Sequence, residues 1–152
     1  MTREVHPEHE THAAPDAAMP VTFDDLFGWV HPAAGRRGVL LCGACGFEQM
    51  AAHRPWRALA DRLAAAGCPT LRFDYPGEGN SGDPAEVRVS ANVAAIRRAM
   101  RFLRETTGVT EIALVGLRLG ANLALLAAQE ESVDRLVLLA PAATGRAYLR
   151  EM

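Results

Sequence analysis

The feature that most constrains the fold of this chain is a strand, a tight turn and a helix in immediate succession. The apolar run Glu111–Val115 predicts a buried strand, and the alanine-rich stretch Ala121–Ala128 predicts a helix. Between them lies only the segment Gly116-Leu117-Arg118-Leu119-Gly120. A strand that passes so directly into a helix is typical of α/β folds, in which helices connect neighbouring parallel strands.

The rest of the sequence repeats this alternation of strand and helix after a predicted β-hairpin over residues 21–30. Pro55 predicts the first position of one helix, and Ser90 predicts the N-cap of another. We therefore expect a mostly parallel sheet with helices on both faces. Its further strands are predicted at Val39–Cys42, Pro69–Phe73 and Arg135–Leu139.

The length and composition of the chain indicate one globular domain. Its 152 residues are 49% hydrophobic and 22% charged, and a net charge of -2 gives no reason to expect nucleic acid as a partner. No apolar run reaches the roughly 20 residues that span a bilayer, and no signal peptide is evident. Three cysteines without a secretory signal predict free thiols in the cytoplasm.

Residues 1–20 are predicted to form a disordered leader, and residues 21–152 the folded domain. The leader carries His6, His9 and His12 at three-residue spacing, which also fits a metal-binding tail. Its polar, acidic and proline-containing composition favours disorder over a metal site. We accordingly expect neither a metal nor a cofactor.

Four segments, in this order and spacing, carry a resemblance to a known family. They are Leu26–Trp29, Leu71–Tyr75 with the loop Gly77-x-Gly79-x-Ser81-Gly82, Gly116–Ala121 and Gly145–Arg150. The chain resembles the first half of an α/β-hydrolase, in the serine aminopeptidase and lysophospholipase-like branch. Within that branch it is most similar to exosortase-system-associated hydrolase-like proteins. The resemblance implies the α/β-hydrolase fold and hydrolysis of an ester, thioester or amide.

In this family the middle residue of the Gly-x-x-x-Gly turn is a nucleophilic serine, and here it is Arg118. A guanidinium stays protonated, so it can bind an anion but cannot attack a carbonyl carbon. Gly116 and Gly120 are the glycines of this elbow. The resemblance assigns the N–H groups of Ala44 and Leu119 to an oxyanion hole.

The family mechanism also needs an acid and a histidine that follow the nucleophile in the chain. All five histidines, of which His53 is the last, precede Arg118. Asp134 is better explained as a solvated turn residue before a strand than as the acid. We therefore expect the half of the domain with the acid and the histidine to be missing, and the isolated chain to be inactive.

Two interpretations of Arg118 remain open. At the carboxyl edge of a parallel sheet and at the start of a helix, it is placed to capture a carboxylate, a phosphate or a phosphopantetheine group. Alternatively, an internal carboxylate from Asp74, Glu78 or Glu48 neutralises the guanidinium and leaves an inert site.

The loop after the strand at 39–42 carries a CxxC motif, Cys42-Gly43-Ala44-Cys45. This motif is typical of thioredoxin-like redox sites, and with His53 it supplies all but one of the ligands of a zinc site. The predicted late start of the next helix argues against the redox role, and a fourth zinc ligand is not evident. Cys45, Asp74 and Ser81 lie in loops expected at the elbow edge, where Cys45 or Ser81 is an alternative nucleophile.

The sequence therefore supports two possible functions. Either the chain is part of a hydrolase-like protein that acts on an ester, thioester or amide once its second half is supplied, or it is a non-catalytic binding or assembly module. The expected partners are a small acyl or anionic ligand, the second half of the domain, or another copy paired through the exposed last strand.

Overall fold

The computed structural model describes residues 17–86 and 88–151, and it shows one six-stranded sheet with helices on both faces. The predicted α/β class is confirmed. The strands are β1 Met19–Phe23, β2 Leu26–His31, β3 Arg37–Cys42, β4 Thr70–Phe73, β5 Glu111–Leu117 and β6 Arg135–Leu139. The helices are α1 Phe47–Ala65, α2 Val89–Thr107, α3 Leu119–Glu130 and α4 Gly145–Glu151.

The strands lie in the order β1-β2-β4-β3-β5-β6. The hairpin of β1 and β2 pairs antiparallel with β4, whereas β4, β3, β5 and β6 are parallel to one another. The register pairs Leu40 with both Leu71 and Leu114 at the centre of the sheet. Because four neighbouring strands run in one direction, the loops that follow them meet at one edge.

Each face of the sheet has its own core. Leu40, Leu71 and Leu114 pack with Ile96 of α2 and Leu123 of α3, and all five are at most 1% exposed. The other face packs against α1, and its buried cluster consists of Val39, Leu41, Trp56, Ala60 and Ala113. Successive strand residues point to opposite faces, so the apolar run in β3 serves both cores.

The predicted start of α1 at Pro55 is wrong. The helix begins at Phe47, directly after Gly46, whose φ of 60° turns the chain out of the preceding loop. Pro55 lies inside the helix, where it lacks an N–H for the backbone ladder. Burial of Trp56 and Ala60 against the sheet offsets that loss, so packing overrides the local proline signal.

The predicted cap of α2 at Ser90 is also wrong. Arg88 already has the extended backbone of an N-cap, with φ of −137° and ψ of 146°, so Ser90 falls inside the first turn. The end of the helix follows the prediction, because Gly108 closes it in the left-handed conformation with φ of 70°.

The predicted leader is described only from residue 17. Residues 1–16, with His6, His9 and His12, lie outside the described residues, and β1 begins at Met19 rather than at Val21. Within the part of the chain that the structure describes, none of the helices combines the length and the apolar character needed to cross a bilayer.

Candidate functional site

The loops that follow the four parallel strands meet at one edge of the sheet. They comprise residues 43–46 after β3, residues 74–82 after β4, Arg118 after β5 and residues 140–144 after β6. In open α/β sheets, ligands bind outside the carboxyl ends of the strands. This edge is therefore the expected location of a functional site.

Arg118 sits on a backbone turn of the kind that holds a nucleophile. Its φ of 55° and ψ of −123° lie where residues other than glycine rarely occur. A Cβ on Gly116 would lie 2.4 Å from Ala121 Cα, and a Cβ on Gly120 would lie 2.0 Å from the Gly43 carbonyl oxygen. Glycine at both positions therefore lets β5 pass directly into α3 and holds residue 118 at the sheet edge.

Three acceptors inside the protein hold the Arg118 guanidinium. Its Nε donates to Glu48 Oε1 at 2.9 Å, its Nη1 donates to the Ala140 carbonyl oxygen at 3.3 Å, and its Nη2 pairs with Glu151. Hydrogen bonds to Glu48 and then to Glu151 raise the pKa of Arg118 further above its ordinary value. Of the three carboxylates considered as internal partners, Glu48 is the one that contacts the guanidinium.

Asp74 and Glu78 organise the glycine-rich loop after β4. Asp74 Oδ2 accepts the N–H of Asn80 at 3.1 Å, and a Cβ on Gly79 would lie 2.2 Å from the same oxygen. Glu78 Oε1 accepts the N–H of Gly46 at 2.9 Å, which links this loop to the start of α1. Burial raises the pKa of Glu78, the hydrogen bond from Gly46 opposes that rise, and repulsion from Asp74 adds to it.

The Ser81 hydroxyl forms hydrogen bonds with backbone groups. Its oxygen donates to the Asp74 carbonyl oxygen at 2.6 Å and accepts the N–H of Phe27 at 2.9 Å. These two bonds fasten the glycine-rich loop to β2. They favour a structural role for Ser81 over the nucleophilic one.

The cysteines of the CxxC motif are free thiols in buried surroundings. Cys42 is fully buried, and burial raises its pKa. Burial, followed by the charges of Glu78 and Glu48, raises the pKa of Cys45 to about 12. Because the thiolate is the reactive form, these surroundings disfavour both redox chemistry and nucleophilic attack. Among residues 17–86 and 88–151, no cluster of three His, Cys, Asp or Glu side chains is arranged to hold a metal ion.

The two oxyanion-hole candidates lie where the loop after β3 packs tightly against the start of α3. Ala44 is 1% exposed and follows β3, and Leu119 is the first residue of α3. Gly120 of α3 approaches Gly43 of the loop closely. The first N–H groups of a helix have no acceptor within it, so the Leu119 N–H suits a donor role. Their part in an oxyanion hole stays a prediction.

Asp134 lies at the opposite end of the sheet from Arg118. Its backbone N–H donates to the Ile112 carbonyl oxygen at 2.8 Å, and its Oδ2 accepts the Ile112 N–H at 2.7 Å. Asp134 thus ties the start of β6 to the start of β5. This structural role agrees with a turn residue rather than with a catalytic acid.

Three buried oxygen atoms near the elbow edge have no hydrogen-bond partner among the described residues. They are Glu48 Oε2, Gln49 Oε1 and the hydroxyl oxygen of Tyr75, whose side chain is 2% exposed. Buried polar atoms in folded proteins nearly always have a partner in protein, water or ligand. Of these three residues Gln49 lines a cavity of about 570 Å³, which Glu78 also lines.

A cluster around His31 was missed by sequence reasoning. His31 is 2% exposed, its Nδ1 lies 2.8 Å from Asp61 Oδ1, and its Nε2 accepts the Nε–H of Arg72 at 3.0 Å. The Arg72 guanidinium carbon lies 5.4 Å from the Trp29 ring centroid. The signal that was available is a charged residue inside the apolar strand Leu71-Arg72-Phe73.

The parallel sheet and the glycine-flanked elbow define an α/β-hydrolase fold. A family model described as the alpha/beta hydrolase fold matches residues 39–150, so this chain belongs to the α/β-hydrolase fold family. No curated protein sequence matches the chain significantly.

Solved structures show the same fold at low sequence identity. A serine hydrolase without a lid from Xanthomonas campestris is 20% identical, with a TM-score of 0.73 over 86% of this chain and 64% of its own. An esterase from Pyrococcus furiosus is 18% identical, with a TM-score of 0.73 over 99% of this chain and 61% of its own. A serine hydrolase homologue from Coxiella burnetii is 16% identical, with a TM-score of 0.67 over 90% of this chain and 68% of its own. The chain thus spans about two thirds of the length of these proteins.

Proposed function

We propose that this chain is part of an α/β-hydrolase-fold protein whose elbow does not catalyse hydrolysis and whose sheet edge serves to bind a small ligand. The observation that carries the proposal is the position of Arg118. A residue that cannot be a nucleophile stands on the strained elbow, and Glu48, Ala140 and Glu151 hold its side chain in place.

The other side chains with nucleophilic chemistry at this edge support the same conclusion. The Ser81 oxygen has a backbone donor and a backbone acceptor, and the Cys45 thiol has a pKa of about 12. Such a thiol carries little of the reactive thiolate near neutral pH. Neither group is prepared to attack an ester or thioester carbonyl.

Binding is supported by the unsatisfied polar atoms at the edge. The carboxylate oxygen of Glu48, the amide oxygen of Gln49 and the hydroxyl of Tyr75 are buried without a described partner. Gln49 lines the cavity of about 570 Å³, and a bound molecule with a hydrogen-bond donor there satisfies its acceptor oxygen. Arg118 is already neutralised by carboxylates, so anion capture at the elbow is the weaker form of the binding hypothesis.

Hydrolysis remains the second candidate, and the family favours it. The similar structures include an esterase and a serine hydrolase, and Arg118 has the strained backbone that the family's nucleophile adopts. In this alternative the whole protein acts on an ester, thioester or amide with a nucleophile other than residue 118. Cys45 and Ser81 are the side chains available for that role.

Three finer assignments also belong to the proposal. The placement in the serine aminopeptidase and lysophospholipase-like branch, near exosortase-system-associated proteins, rests on four sequence segments: Leu26–Trp29, Leu71–Tyr75 with its glycine-rich loop, Gly116–Ala121 and Gly145–Arg150. A cytoplasmic location rests on the free cysteines. Assembly through β6 rests on its position at the sheet edge, where Val137 is 43% and Leu139 is 38% exposed.

The test is an ester and thioester hydrolysis assay on the chain and on the full product of its reading frame. We expect no turnover of p-nitrophenyl acetate, p-nitrophenyl butyrate or an acyl thioester above the blank. We also expect no covalent labelling by a fluorophosphonate, which reacts with activated serines.

The variants Cys45→Ala and Ser81→Ala locate the nucleophile if turnover appears. Turnover that Cys45→Ala abolishes establishes a thiol nucleophile, and turnover that Ser81→Ala abolishes in a correctly folded variant establishes a hydroxyl nucleophile. Either result replaces the proposal with the hydrolase alternative.

A further inference from the structure

A groove runs between α1 and the neighbouring strands β2 and β4, on the face of the sheet that α1 covers. Trp29, His53 and Arg72 line it throughout, and we call it the α1 groove. It consists of the cavity of about 570 Å³ at the elbow edge and a second cavity of about 300 Å³ that reaches Asp61. Its α1 residues, Gln49, Met50, His53, Arg57, Asp61 and Ala64, recur at helical spacing.

Arg72 is the unusual group in the α1 groove. It is half-buried in β4, and its Nε–H is donated to His31 Nε2. Among the described residues it forms no salt bridge, whereas Arg118, Arg97 and Arg98 each pair with a carboxylate. The N–H groups of its two terminal nitrogens therefore have no partner among the described residues and are available to a ligand.

His31 and Asp61 hold Arg72 in position. Because Arg72 donates to His31 Nε2, that nitrogen is an acceptor, and the proton of the neutral ring resides on Nδ1. The Nδ1–H is donated to Asp61 Oδ1 at 2.8 Å. Burial lowers the pKa of His31, and the charge of Arg72 lowers it further, which keeps the imidazole neutral. The Trp29 ring, 5.4 Å from the guanidinium carbon, supports the planar group from another side.

The α1 groove around Arg72 carries a second guanidinium, Arg57, and the carboxylates Asp61, Asp74 and Glu78. Arg57 lies close enough to lower the pKa of Arg72 by repulsion, after the larger effect of burial. Asp61 and Asp74 oppose this repulsion. Asp61 bonds to His31 through Oδ1, and its Oδ2 lies 3.9 Å from Arg57 Nε, so Arg57 already has a carboxylate partner whereas Arg72 has none among the described residues. An anion beside Arg72 supplies the partner that its terminal nitrogens lack among the described residues and offsets the repulsion from Arg57.

We propose that the α1 groove binds the carboxylate or phosphate group of a small organic ligand, with Arg72 as its main contact and Arg57 as its second. The carbon part of the ligand packs on Trp29 and on Met50, which is 74% exposed at the wider end of the groove. Carboxylates and phosphates share the paired acceptor oxygens that a guanidinium recognises. The inference rests on the binding part of the proposed function, because the α1 groove includes the cavity of about 570 Å³ at the elbow edge, but it does not depend on Arg118 or on the absence of catalysis.

The test is isothermal titration of the whole chain with acetate, hexanoate and inorganic phosphate, at an ionic strength held constant with chloride. We expect saturable binding of hexanoate or phosphate with a Kd below about 10 mM. If hexanoate binds more tightly than acetate, by up to about fourfold in Kd for each buried methylene, the ligand is a carboxylate with an apolar tail. Phosphate alone identifies a phosphate ligand, and saturable binding of neither anion overturns the proposal.

Three variants locate the site. Arg72→Gln is expected to weaken binding about tenfold, because it removes a charge-assisted hydrogen bond. Arg57→Gln, an exposed change that leaves the core intact, is expected to weaken binding severalfold. The matched control Arg101→Gln, an exposed arginine on α2, is expected to leave the Kd unchanged. Equal weakening by all three, or no weakening by Arg57→Gln and Arg72→Gln, contradicts the assignment.

Discussion

Arg118 and Arg72 occupy comparable positions, near the carboxyl ends of the parallel strands β5 and β4, yet their surroundings are opposite. Arg118 is paired with Glu48 and Glu151, which come from α1 and α4. Arg72 touches an imidazole nitrogen and an aromatic ring and pairs with no described carboxylate. The availability of a charge for a ligand thus depends on the partners that other elements bring, and not on the motif that carries the charge.

The backbones of the two regions differ as well. The elbow depends on an unusual turn at Arg118 and on glycines that approach Ala121 and Gly43 closely. The α1 groove lies between α1 and the strands β2 and β4, and its lining residues Met50, His53 and Arg57 are exposed. We therefore expect substitutions in the elbow to affect the fold, and substitutions in the groove to affect binding with little effect on the fold.

The largest expected effect tests the rigidity of the elbow. Gly120→Ala places a Cβ 2.0 Å from the Gly43 carbonyl oxygen, so the β3 loop or α3 must move. We expect a loss of more than about 3 kcal/mol in the free energy of unfolding, measured by chemical denaturation. Gly145→Ala is the matched control, because nothing lies within 4 Å of a Cβ there. Equal stability of the two variants contradicts the packing described for the elbow.

A smaller effect distinguishes the two arginines. Arg118→Met leaves Glu48 partly buried without its cation, whereas Arg72→Met removes a guanidinium that burial disfavours. We expect Arg118→Met to lower the thermal unfolding midpoint by a few degrees, and Arg72→Met to lower it less. Arg146→Met, on the exposed side of α4, serves as the control. A larger drop in the unfolding midpoint for Arg72→Met than for Arg118→Met contradicts the contrast between the two arginines.

The smallest expected effect is a pH dependence that originates at His31. Burial and the charge of Arg72 lower its pKa in the folded state, while Asp61 opposes and Arg57 reinforces the shift. The stability that the neutral imidazole contributes is therefore fully present above the ordinary histidine pKa of about 6.5 and is lost as the pH falls below it. Between about pH 7 and about pH 5 we expect the unfolding midpoint of the wild type to fall further than that of His31→Gln.

His53→Gln is the control for this measurement, because His53 is exposed on α1. It is expected to follow the wild type over the same pH range. Parallel curves for the wild type and His31→Gln show that His31 takes up its proton equally in both states, and the neutral ring described for the α1 groove is then wrong.

The regular part of the fold was predictable because its signals are local. The apolar runs at β3, β5 and β6 and the glycine that ends α2 are visible in short windows of sequence. The start of α1 was not predictable in this way, because a proline outweighed the helix that packing maintains around it. The sequence analysis offered three carboxylates as internal partners of Arg118. One of them, Glu48, contacts the guanidinium, but the second partner, Glu151, was not among them.

The α1 groove escaped prediction because its parts are distant in the sequence. His31, Asp61 and Arg72 come from β2, α1 and β4, and only the sheet order β2-β4 brings the first and last together. A lone arginine in an apolar strand was a usable signal, since burial of such a charge needs a reason. Only the three-dimensional arrangement shows which groups surround Arg72.

The most direct test of the contrast between the two arginines is an NMR titration of the wild-type chain with hexanoate and with phosphate, followed at the arginine Nε–Hε signals. The signals of Arg72 and Arg118 are assigned from spectra of Arg72→Gln and Arg118→Gln. We predict that the Arg72 signal shifts and saturates with at least one of the anions, while the Arg118 signal stays in place. A saturating shift of Arg118 with an unmoved Arg72 contradicts the account.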